Sequence, residues 1–513
     1  MVPDGIGDWI HRRTVKSRGH TAVVFRDEEL SYEELAARID RLAAALRERA
    51  VSRGDRVAYL GNNHPSFIEA LFATTLLGAV FVPLNTRLSV PELEFQLSDA
   101  GVELLINSSA LEASAAGASA SLPLRRLVVQ DDGSHVEPLP AEAEDYEHAL
   151  ASAPALGEVP QVTLEDRAVI IYTSGTTGRP KGAVLTHGNL TWNSFNALID
   201  YDVQGHGERA LMISPLFHVA AFSMGLLPTL LKGGTVLLQE RFVPAEALAA
   251  IQRYRATYIS GVPTTYQLMM EDPAWATTDI SSLERMTCGG SPVPLKVLEA
   301  YGERGLKFSG GYGMTESSPG ITALPARYGM EKLGSSGLAH FFTKYRIRDT
   351  DTGEIVTEPG ARGEIEASGP NIFLEYWGRP DATAEAFTAD GWLRTGDVGY
   401  SDADGFITIA DRVKDMIISG GENVYSAEVE IVISQLPGVT GVAVIGVPHD
   451  RWGEVPHAIV TLAPGASLDV ETLIEHCSAR LARYKVPKTL EIVDELPRTA
   501  SGKVQKALLR HED

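Results

Sequence analysis

The spacing of apolar residues predicts strands that alternate with helices over much of the chain. Apolar positions recur every three to four residues from Ser31 to Ala50, as they do along the buried face of a helix. Ser31 followed by Glu34 has the spacing of a capping box, which predicts a helix start. Arg56–Gly61 predicts a strand, and Pro65 begins a second predicted helix. The alternation favours an α/β fold with largely parallel sheets.

Two apolar segments are interpreted as core, not as membrane spans. Residues 72–84 are too few to cross a bilayer. Residues 211–231 lack Asp, Glu, Lys and Arg, but they contain Pro215, Pro228 and His218. We therefore predict a buried strand and helix that line a pocket. The first residues show no basic region followed by an apolar one, so no signal peptide is predicted.

The pattern changes after residue 400. Residues 401–406 predict a hairpin turn, residues 427–436 and 470–483 predict helices, and residues 442–447 and 458–462 predict strands. These elements predict a separate small α+β domain of about 100 residues. Two segments rich in Ala, Ser or Pro, residues 108–120 and 137–160, are interpreted as exposed connections.

Composition narrows the class of protein. The 513 residues, 44% of them hydrophobic, suggest about three domains or subdomains and exclude a largely disordered chain. Two cysteines, Cys288 and Cys477, cannot form a disulfide framework and favour the cytoplasm. Forty-five basic and 67 acidic residues give a net charge of −22. This balance argues against general nucleic-acid binding, so anionic ligands would require locally placed positive charge.

The strongest local signal is a glycine- and hydroxyl-rich loop. The apolar run 168–172 leads into Thr173-Ser-Gly-Thr-Thr-Gly178 and then Lys181. Glycines let backbone N–H groups approach an anion, hydroxyls add donors and lysine adds charge, so the loop suits a polyphosphate. The spacing differs from that of a Walker A loop. The alternative is a flexible surface turn.

This loop resembles the phosphate loop of the AMP-forming acyl-CoA synthetases, within the adenylate-forming superfamily. Further motifs follow in that family's order over essentially the whole chain: Gly311-Tyr-Gly-Met-Thr-Glu316, Gly391-Trp-Leu-Arg-Thr-Gly-Asp397, Asp411-Arg-Val-Lys-Asp415, Gly420-Gly-Glu-Asn423 and Pro497-Arg-Thr-Ala-Ser-Gly-Lys503. Two positions depart from it, because Asp411 stands where many members have Gly and Ser426 where many have Pro.

The resemblance implies two half-reactions. A carboxylate attacks the α-phosphate of ATP to give acyl-AMP and pyrophosphate, and the thiol of coenzyme A then displaces AMP. ATP, Mg²⁺ and coenzyme A are the implied substrates and cofactor, and no nucleic acid is implied. The implied fold is a large N-terminal adenylation domain of α/β layers (1–411), a hinge (412–414) and a small mobile C-terminal α+β domain (415–513), with the active site between the two domains.

The resemblance also assigns residues. Glu316 corresponds to the magnesium ligand, and the catalytic positions are Lys503, Thr315 and His218. ATP or AMP binding falls to Thr173, Ser174, Gly175, Thr176, Thr177, Gly178, Lys181, Gly289, Gly290, Ser291, Gly311, Tyr312, Gly313, Met314, Thr315, Asp397, Arg412 and Lys503. Lys414 corresponds to the hinge. Gly420, Gly421 and Glu422 would line the coenzyme A tunnel, and His218, Val219, Phe222 and Gly225 the acyl pocket.

The predicted acyl pocket falls on residues 219–227, called the acyl segment below, and its composition indicates which acid is activated. It has no carboxylate for an amino acid's ammonium group and no cation for the second carboxylate of malonate. A medium-chain fatty acid is the first hypothesis, and a benzoate- or cinnamate-like aryl acid is the second.

Rival functions share the same motifs. An adenylating enzyme that loads a carrier protein presents the same thiol chemistry, and a luciferase-like oxygenase shares the first half-reaction. A non-catalytic relative would be expected to lose Lys503, Glu316 or Asp397, and all three are present. No Gly-x-Ser-x-Gly or His-Glu-x-x-His motif occurs, which argues against hydrolases.

Overall fold

A computed structural model describes residues 5–130, 138–140, 142–173, 179–201, 203, 205–289, 293–412, 414–419, 422–449, 452–498 and 504–510. The chain divides into two compact units. The first comprises Met1–Tyr345 and Ala367–Leu393, and the second comprises Arg346–Glu366 and Arg394–Asp513. The hinge at 412–414 concerns a motion and stays a prediction.

The elements are as follows. The helices are α1 (Trp9–Lys16), α2 (Tyr32–Glu48), α3 (Pro65–Leu76), α4 (Val90–Ala100), α5 (Glu112–Ser119), α6 (Tyr146–Ser152), α7 (His187–Asp200), α8 (Leu227–Lys232), α9 (Pro244–Tyr254), α10 (Pro263–Glu271), α11 (Leu295–Gly302), α12 (Pro380–Ala386), α13 (Ser426–Ile433) and α14 (Val470–Ser478). The strands are β1 (Thr21–Phe25), β2 (Glu28–Ser31), β3 (Arg56–Leu60), β4 (Val80–Pro83), β5 (Val102–Ser108), β6 (Arg125–Val129), β7 (Ala143–Asp145), β8 (Arg167–Thr173), β9 (Lys181–Thr186), β10 (Arg209–Met212), β11 (Thr235–Leu238), β12 (Tyr258–Gly261), β13 (Arg285–Cys288), β14 (Phe308–Tyr312), β15 (Thr322–Leu324), β16 (Leu338–Ala339), β17 (Lys344–Arg348), β18 (Ile355–Val356), β19 (Gly363–Ser368), β20 (Glu375–Tyr376), β21 (Leu393–Ser401), β22 (Ile407–Arg412), β23 (Ile417–Ser419), β24 (Glu422–Val424), β25 (Val439–His449), β26 (Gly453–Leu462) and β27 (Thr489–Ile492).

Two sheets organise the first unit. Within the described residues, one is nine-stranded in the order β16-β15-β14-β13-β12-β10-β11-β1-β2, and the other is eight-stranded in the order β20-β9-β8-β4-β3-β5-β6-β7. The main core joins the inner faces of both sheets to α2, α3 and α8. Helices α9, α10 and α11 cover the other face of the first sheet, and α4 and α5 cover that of the second. This layering confirms the α/β class.

Local sequence signals account for several elements. Ser31 caps α2, its hydroxyl accepts from the backbone N–H of Glu34, and the Glu34 carboxylate reaches back, as the capping box predicted. The strand β3 and the start of α3 at Pro65 are also confirmed. Residues 211–231 form the end of β10, a π-helix (Ala220–Leu226) and α8. Among the described residues, no helix has both the length and the apolar character needed to cross a membrane.

The two segments interpreted as connections are partly wrong. Residues 108–120 contain α5, and Ala115 and Ala118 on that helix are fully buried. Residues 137–160 contain β7 and α6, with Tyr146 buried in the main core. In each segment, alanines or a single aromatic residue supply the buried face, which a search for bulky apolar residues does not detect.

The second unit is built from two further sheets. One follows the order β18-β17-β19-β21-β22, in which β21 and β22 form the hairpin that residues 401–406 predicted. The other joins β24-β23-β26-β25 with β27 paired to β26, and α13 and α14 pack on it. A smaller α+β unit after the α/β layers confirms the predicted fold class, although α14 ends at Ser478, short of the predicted end.

Candidate active site

Two groups of predicted nucleotide residues, Gly289 and Gly311–Thr315, lie at one edge of the nine-stranded sheet. The neighbouring parallel strands β12, β13 and β14 end at Gly261, Cys288 and Tyr312. Carboxyl ends of parallel strands share one sheet edge, and ligands of open α/β sheets bind there. Gly289 directly follows β13, and a Cβ atom built on it would meet no atom of the other described residues within 4 Å, its chain neighbours aside. That open space is compatible with close approach of a ligand to the backbone.

Glu316 lies in a short 3₁₀ turn, Thr315–Ser317, beyond the end of β14. The glutamate is 5% exposed, whereas Thr315 is half-buried. Tyr376, on β20, donates its hydroxyl to Glu316 Oε1 at 2.7 Å, and the backbone N–H of Phe373 donates to the Glu316 carbonyl at 2.8 Å. The Tyr376 hydroxyl thus orients the carboxylate, and the Phe373 N–H fixes the backbone that carries it.

Asn371 holds the rest of this loop in place. Its side-chain amide donates to the carbonyls of Ser317 and Gly320 at 2.9 and 2.6 Å, and its backbone carbonyl accepts from the Ser318 hydroxyl at 2.7 Å. Thr343 donates its hydroxyl to Asn371 Oδ1 at 2.8 Å. Asn371 is fully buried, so each of these bonds is sheltered from water. The loop that carries Glu316 is therefore fixed by hydrogen bonds to one fully buried residue, Asn371.

The glycines of the Gly311–Glu316 motif have a structural reason. A Cβ atom on Gly313 would overlap the carbonyl oxygen of Pro319, and one on Gly311 would lie 2.6 Å from the hydroxyl of Tyr201. At Gly313 the loop folds back on its own backbone, and at Gly311 it packs against Tyr201, so only glycine leaves room at either point. Tyr312 stands between them and is half-buried. Both glycines shape the loop that presents Tyr312 and Glu316.

The predicted phosphate loop connects β8 to β9. Thr173 and Lys181 lie opposite each other where the two antiparallel strands end, and the Thr173 hydroxyl donates to the Lys181 carbonyl at 3.4 Å. The Lys181 ammonium lies 5.2 Å from the centre of the Tyr376 ring. Tyr376 therefore lies between the two predicted site residues: its ring is near the Lys181 ammonium, and its hydroxyl binds the Glu316 carboxylate. Ser174, Gly175, Thr176, Thr177 and Gly178 lie outside the described residues.

The predicted acyl segment begins just after β10. His218 is half-buried with its ring 4.6 Å from that of Phe217, Val219 and Phe222 are buried, and the π-helix Ala220–Leu226 follows. A Cβ atom on Gly225 would lie 2.8 Å from the methyl carbon of Met212. The absence of a side chain at Gly225 therefore leaves room for Met212 to pack against the π-helix.

The segment is tied to the Glu316 loop by hydrogen bonds. Ser223 donates its hydroxyl to the Ser318 carbonyl at 2.6 Å, and Asn193 on α7 donates to Ser223 and accepts from the N–H of Gly320 at 3.2 Å. The predicted acyl segment and the predicted magnesium ligand thus belong to one connected part of the first unit.

In the second unit, the predicted ribose residues lie opposite each other on a hairpin. Asp397 on β21 pairs in register with Arg412 on β22, and Arg412 Nε lies 3.2 Å from Asp397 Oδ1. Asp397 is buried, whereas Arg412 is exposed. Lys414, the predicted hinge residue, is exposed, and its carbonyl accepts a bond of 3.0 Å from Arg510.

The two departures from the family pattern contact each other. The Ser426 hydroxyl donates to Asp411 Oδ2 at 2.6 Å, and Lys506 lies 2.5 Å from the same hydroxyl and 2.7 Å from Glu430. Burial raises the pKa of Glu430, and the Lys506 ammonium opposes that rise. Asp411 and Ser426 are thus a matched pair, which explains how one departure accommodates the other.

Several predicted residues lie outside the described part of the chain. They are Gly290, Ser291, Gly420, Gly421 and Lys503, and for Glu422 only the backbone, in β24, is described. Their assigned roles stay predictions.

Comparison with known proteins identifies the family. The sequence profile described as "AMP-binding enzyme" matches residues 10–377, and the profile of the AMP-binding enzyme C-terminal domain matches residues 428–503. The chain belongs to the AMP-binding enzyme family. A feruloyl-CoA synthase from an Amycolatopsis species is 48% identical over 99% of both chains. The long-chain-fatty-acid–CoA ligase FadD13 of Mycobacterium tuberculosis is 36% identical over 95% of this chain and 93% of that protein.

A solved structure extends the likeness to the fold. The o-succinylbenzoate coenzyme A synthetase of Bacillus subtilis, in complex with ATP and a magnesium ion, has a TM-score of 0.85 and 34% identity over 97% of this chain and 98% of that one. This AMP-binding enzyme is accordingly an AMP-forming acyl-CoA synthetase: an ATP-dependent ligase that forms an acyl-adenylate and transfers the acyl group to coenzyme A.

The described residues of the ligase fit magnesium held chiefly by its nucleotide. Among them, no group of three or more His, Cys, Asp or Glu residues could hold a metal ion by itself. Mg²⁺ commonly binds one or two carboxylates together with substrate phosphates and water, so a single oriented carboxylate such as Glu316 suffices.

Sequence reasoning missed two residues that shape the ligase's site, Tyr376 and Asn371. Tyr376 was readable only as one aromatic residue in Leu374-Glu-Tyr-Trp377, and Asn371 as one polar residue before Ile372 and Phe373. An asparagine in an apolar run is a signal for a buried hydrogen-bond network. The partners, however, lie some 50 residues earlier in the chain, at Ser317 and Gly320.

Proposed function

We propose that the ligase activates an aryl acid of the cinnamate or benzoate type. The observation that carries the proposal is the 48% identity, over 99% of both chains, to a protein named for an aryl acid, feruloyl-CoA synthase. The relative named for long-chain fatty acids is 36% identical. The proposal replaces the medium-chain fatty acid as first hypothesis, and the fatty acid becomes the alternative outcome of the test.

The acyl segment supports a short, flat substrate. Met212 occupies the space beside Gly225, with the Tyr258 ring 3.9 Å from the same point, so the segment offers no continuation there for a hydrocarbon tail. Phe222 and Val219 supply apolar surface, and no charged side chain lies on the segment. An aromatic ring buries much apolar area within a short reach, which suits a pocket of limited depth.

We assign the following roles to residues in the first half-reaction. In the first half-reaction the acid's carboxylate attacks the α-phosphorus of ATP and pyrophosphate leaves. We propose that Glu316 binds Mg²⁺, that Thr315 donates to the α-phosphate and that Tyr312 stacks on adenine. The phosphate loop with Lys181 would hold the phosphates, and Lys503 would bridge the two anions. The main barrier to this step is the repulsion between two anions, which these residues would neutralise and align.

The remaining proposals concern the ribose and the thiol. Asp397 can accept two hydrogen bonds from a ribose diol, with Arg412 beside it. In the second half-reaction the thiol sulfur attacks the acyl carbon and AMP leaves with the bonding electron pair. Gly421 would keep the thiol's path open, His218 would lie beside it, and Lys414 would act as the hinge between the half-reactions.

The test is acid-dependent release of pyrophosphate from magnesium-ATP, measured with and without coenzyme A. The panel comprises cinnamates, benzoates, and straight-chain acids of increasing length. The proposal predicts the highest kcat/KM for an aryl acid and turnover that depends on coenzyme A. A maximum among the straight-chain acids would overturn the aryl assignment and leave the ligase mechanism intact. Release that coenzyme A does not accelerate would point to a carrier protein as acceptor.

A further inference from the structure

A buried histidine–aspartate pair lies beside the acyl segment. His340 follows β16 and is 1% exposed, and its Nδ1 lies 2.6 Å from Oδ2 of Asp200, the last residue of α7. The backbone N–H of Phe341 donates to the same oxygen at 3.2 Å. A carboxylate at this distance fixes the ring proton on Nδ1, so a neutral ring presents the lone pair of Nε2 as an acceptor.

That acceptor is unsatisfied. Among the described residues, His340 Nε2 is buried without a hydrogen-bond partner. A buried polar atom without a partner is costly, and a ligand hydroxyl that reached it would remove that cost. Asp200 orients the ring, and an oriented ring with a free lone pair is what recognition of a hydroxyl group requires.

The unsatisfied edge of the ring faces Gly320. A Cβ atom on Gly320 would lie 2.8 Å from His340 Cδ2, 2.9 Å from Nε2 and 2.8 Å from Asn193 Oδ1. Asn193 in turn donates to the carbonyl and hydroxyl of Ser223 and to the sulfur of Met224, both on the π-helix of the acyl segment. His340 therefore lies at the end of a polar chain that leads to the predicted acyl pocket.

The same contacts indicate how the substrate's ring would extend from its carboxylate. The carboxylate must lie near Thr315 and Glu316, where the proposed adenylation occurs. Gly320 and Ser223 lie beyond them along the loop and the π-helix, joined by Ser318 and Asn193. A ring that extends from the carboxylate along the π-helix would present its remote edge toward Gly320 and His340.

We propose that His340 is a specificity-determining residue, whose Nε2 accepts a hydrogen bond from a hydroxyl group on the aryl ring, at the end remote from the carboxylate. This inference rests on the proposed aryl-acid function and narrows it to ring-hydroxylated acids. A site built to bind a substrate hydroxyl discriminates strongly against the analogue that lacks it, because the buried acceptor is then left unpaired.

The experiment compares kcat/KM for 4-hydroxycinnamate and cinnamate in coenzyme A-dependent pyrophosphate release. The wild type is expected to prefer 4-hydroxycinnamate by about tenfold or more. His340→Leu is expected to abolish the preference while cinnamate is used about as well as before. His340→Gln keeps a polar group at the position and is expected to restore part of the preference.

His187 offers a matched control. Like His340 it is buried, and it is the first residue of α7. Its Nδ1 accepts from the N–H of Ile6 at 3.0 Å, and its Nε2 has no partner among the described residues. It begins the helix that Asp200 ends, about 20 Å away along the axis. His187→Leu is expected to leave the preference unchanged. Thermal melting of each variant shows whether the protein is folded at the assay temperature.

Three outcomes decide the inference. A preference for 4-hydroxycinnamate that His340→Leu removes and His187→Leu keeps supports it. Aryl acids that are activated with no hydroxyl preference, or with a preference that survives in His340→Leu, overturn it and leave the aryl-acid function standing. Activation of straight-chain acids alone overturns both, because no ring then reaches His340.

Discussion

The hydrogen bond from Tyr376 to Glu316 gives the sharpest test of the site's geometry. Tyr376→Phe removes one hydroxyl and leaves the ring in place. The lost bond is 2.7 Å long, its acceptor is a carboxylate, and Glu316 is 5% exposed, so water cannot readily replace the donor. A bond to a charged acceptor contributes about 1.5–3 kcal/mol, which corresponds to a factor of about 10 to 100.

The assay is pyrophosphate release at fixed ATP as free Mg²⁺ is varied. We expect Tyr376→Phe to raise the half-saturating Mg²⁺ concentration or to lower kcat/KM for magnesium-ATP by about 10- to 100-fold. Thioester formation from supplied acyl-adenylate is expected to change little, because that step needs no magnesium-bound pyrophosphate. Direct titration of Mg²⁺ with the nucleotide-bound protein supplies a readout that does not depend on turnover.

Tyr146 provides the matched control. Its hydroxyl donates to Oε2 of the fully buried Glu69 at 2.6 Å, on elements that carry none of the predicted site residues. Tyr146→Phe is expected to lower the melting temperature and to leave the Mg²⁺ dependence unchanged. If Tyr376→Phe melts normally and keeps the wild-type Mg²⁺ dependence, the proposed role of Tyr376 in orienting Glu316 is wrong.

Three further predictions concern other parts of the chain. Lys503→Ala is expected to lose at least about a hundredfold in acyl-adenylate formation while keeping thioester formation from supplied acyl-adenylate; equal loss of both would refute its role. Gly313→Ala is expected to disable adenylation, because its Cβ would overlap Pro319, whereas Gly302→Ala, whose Cβ meets nothing within 4 Å, should be neutral in the same assay. Burial lowers the pKa of folded His187 to about 4 from 6.5, so the unfolded chain binds more protons in that window. Stability should therefore fall by about 3 kcal/mol as the pH drops from 6.5 to 4, and His187→Leu should flatten this dependence in denaturant unfolding.

The sequence predicts best where a signal is local. The capping box at Ser31, the proline that begins α3 and the turn between β21 and β22 each specify an element through a few adjacent residues.

Contacts between residues that are far apart in the sequence could not be predicted in this way. The clamp by Asn371 joins two segments far apart in the sequence, and the pairing of Asp411 with Ser426 arises only when β22 meets α13. Helix α5 was missed because alanines supply its buried face. The packing of Met212 against Gly225 likewise joins β10 to the π-helix, and the role of Gly225 in lining the acyl pocket stays a prediction. In each case the deciding quantity is a contact between elements, which local spacing does not encode.

The measurement that tests the central claim most directly is a competition for limiting coenzyme A. The ligase is given magnesium-ATP and equal concentrations of 4-hydroxycinnamate and decanoate, and the thioester products are identified by mass spectrometry, with AMP counted against thioester. The account predicts one AMP for each thioester formed and a product that is predominantly the hydroxycinnamoyl thioester. A predominantly decanoyl product would contradict the aryl-acid assignment, and AMP formed without any thioester would contradict coenzyme A as the acceptor.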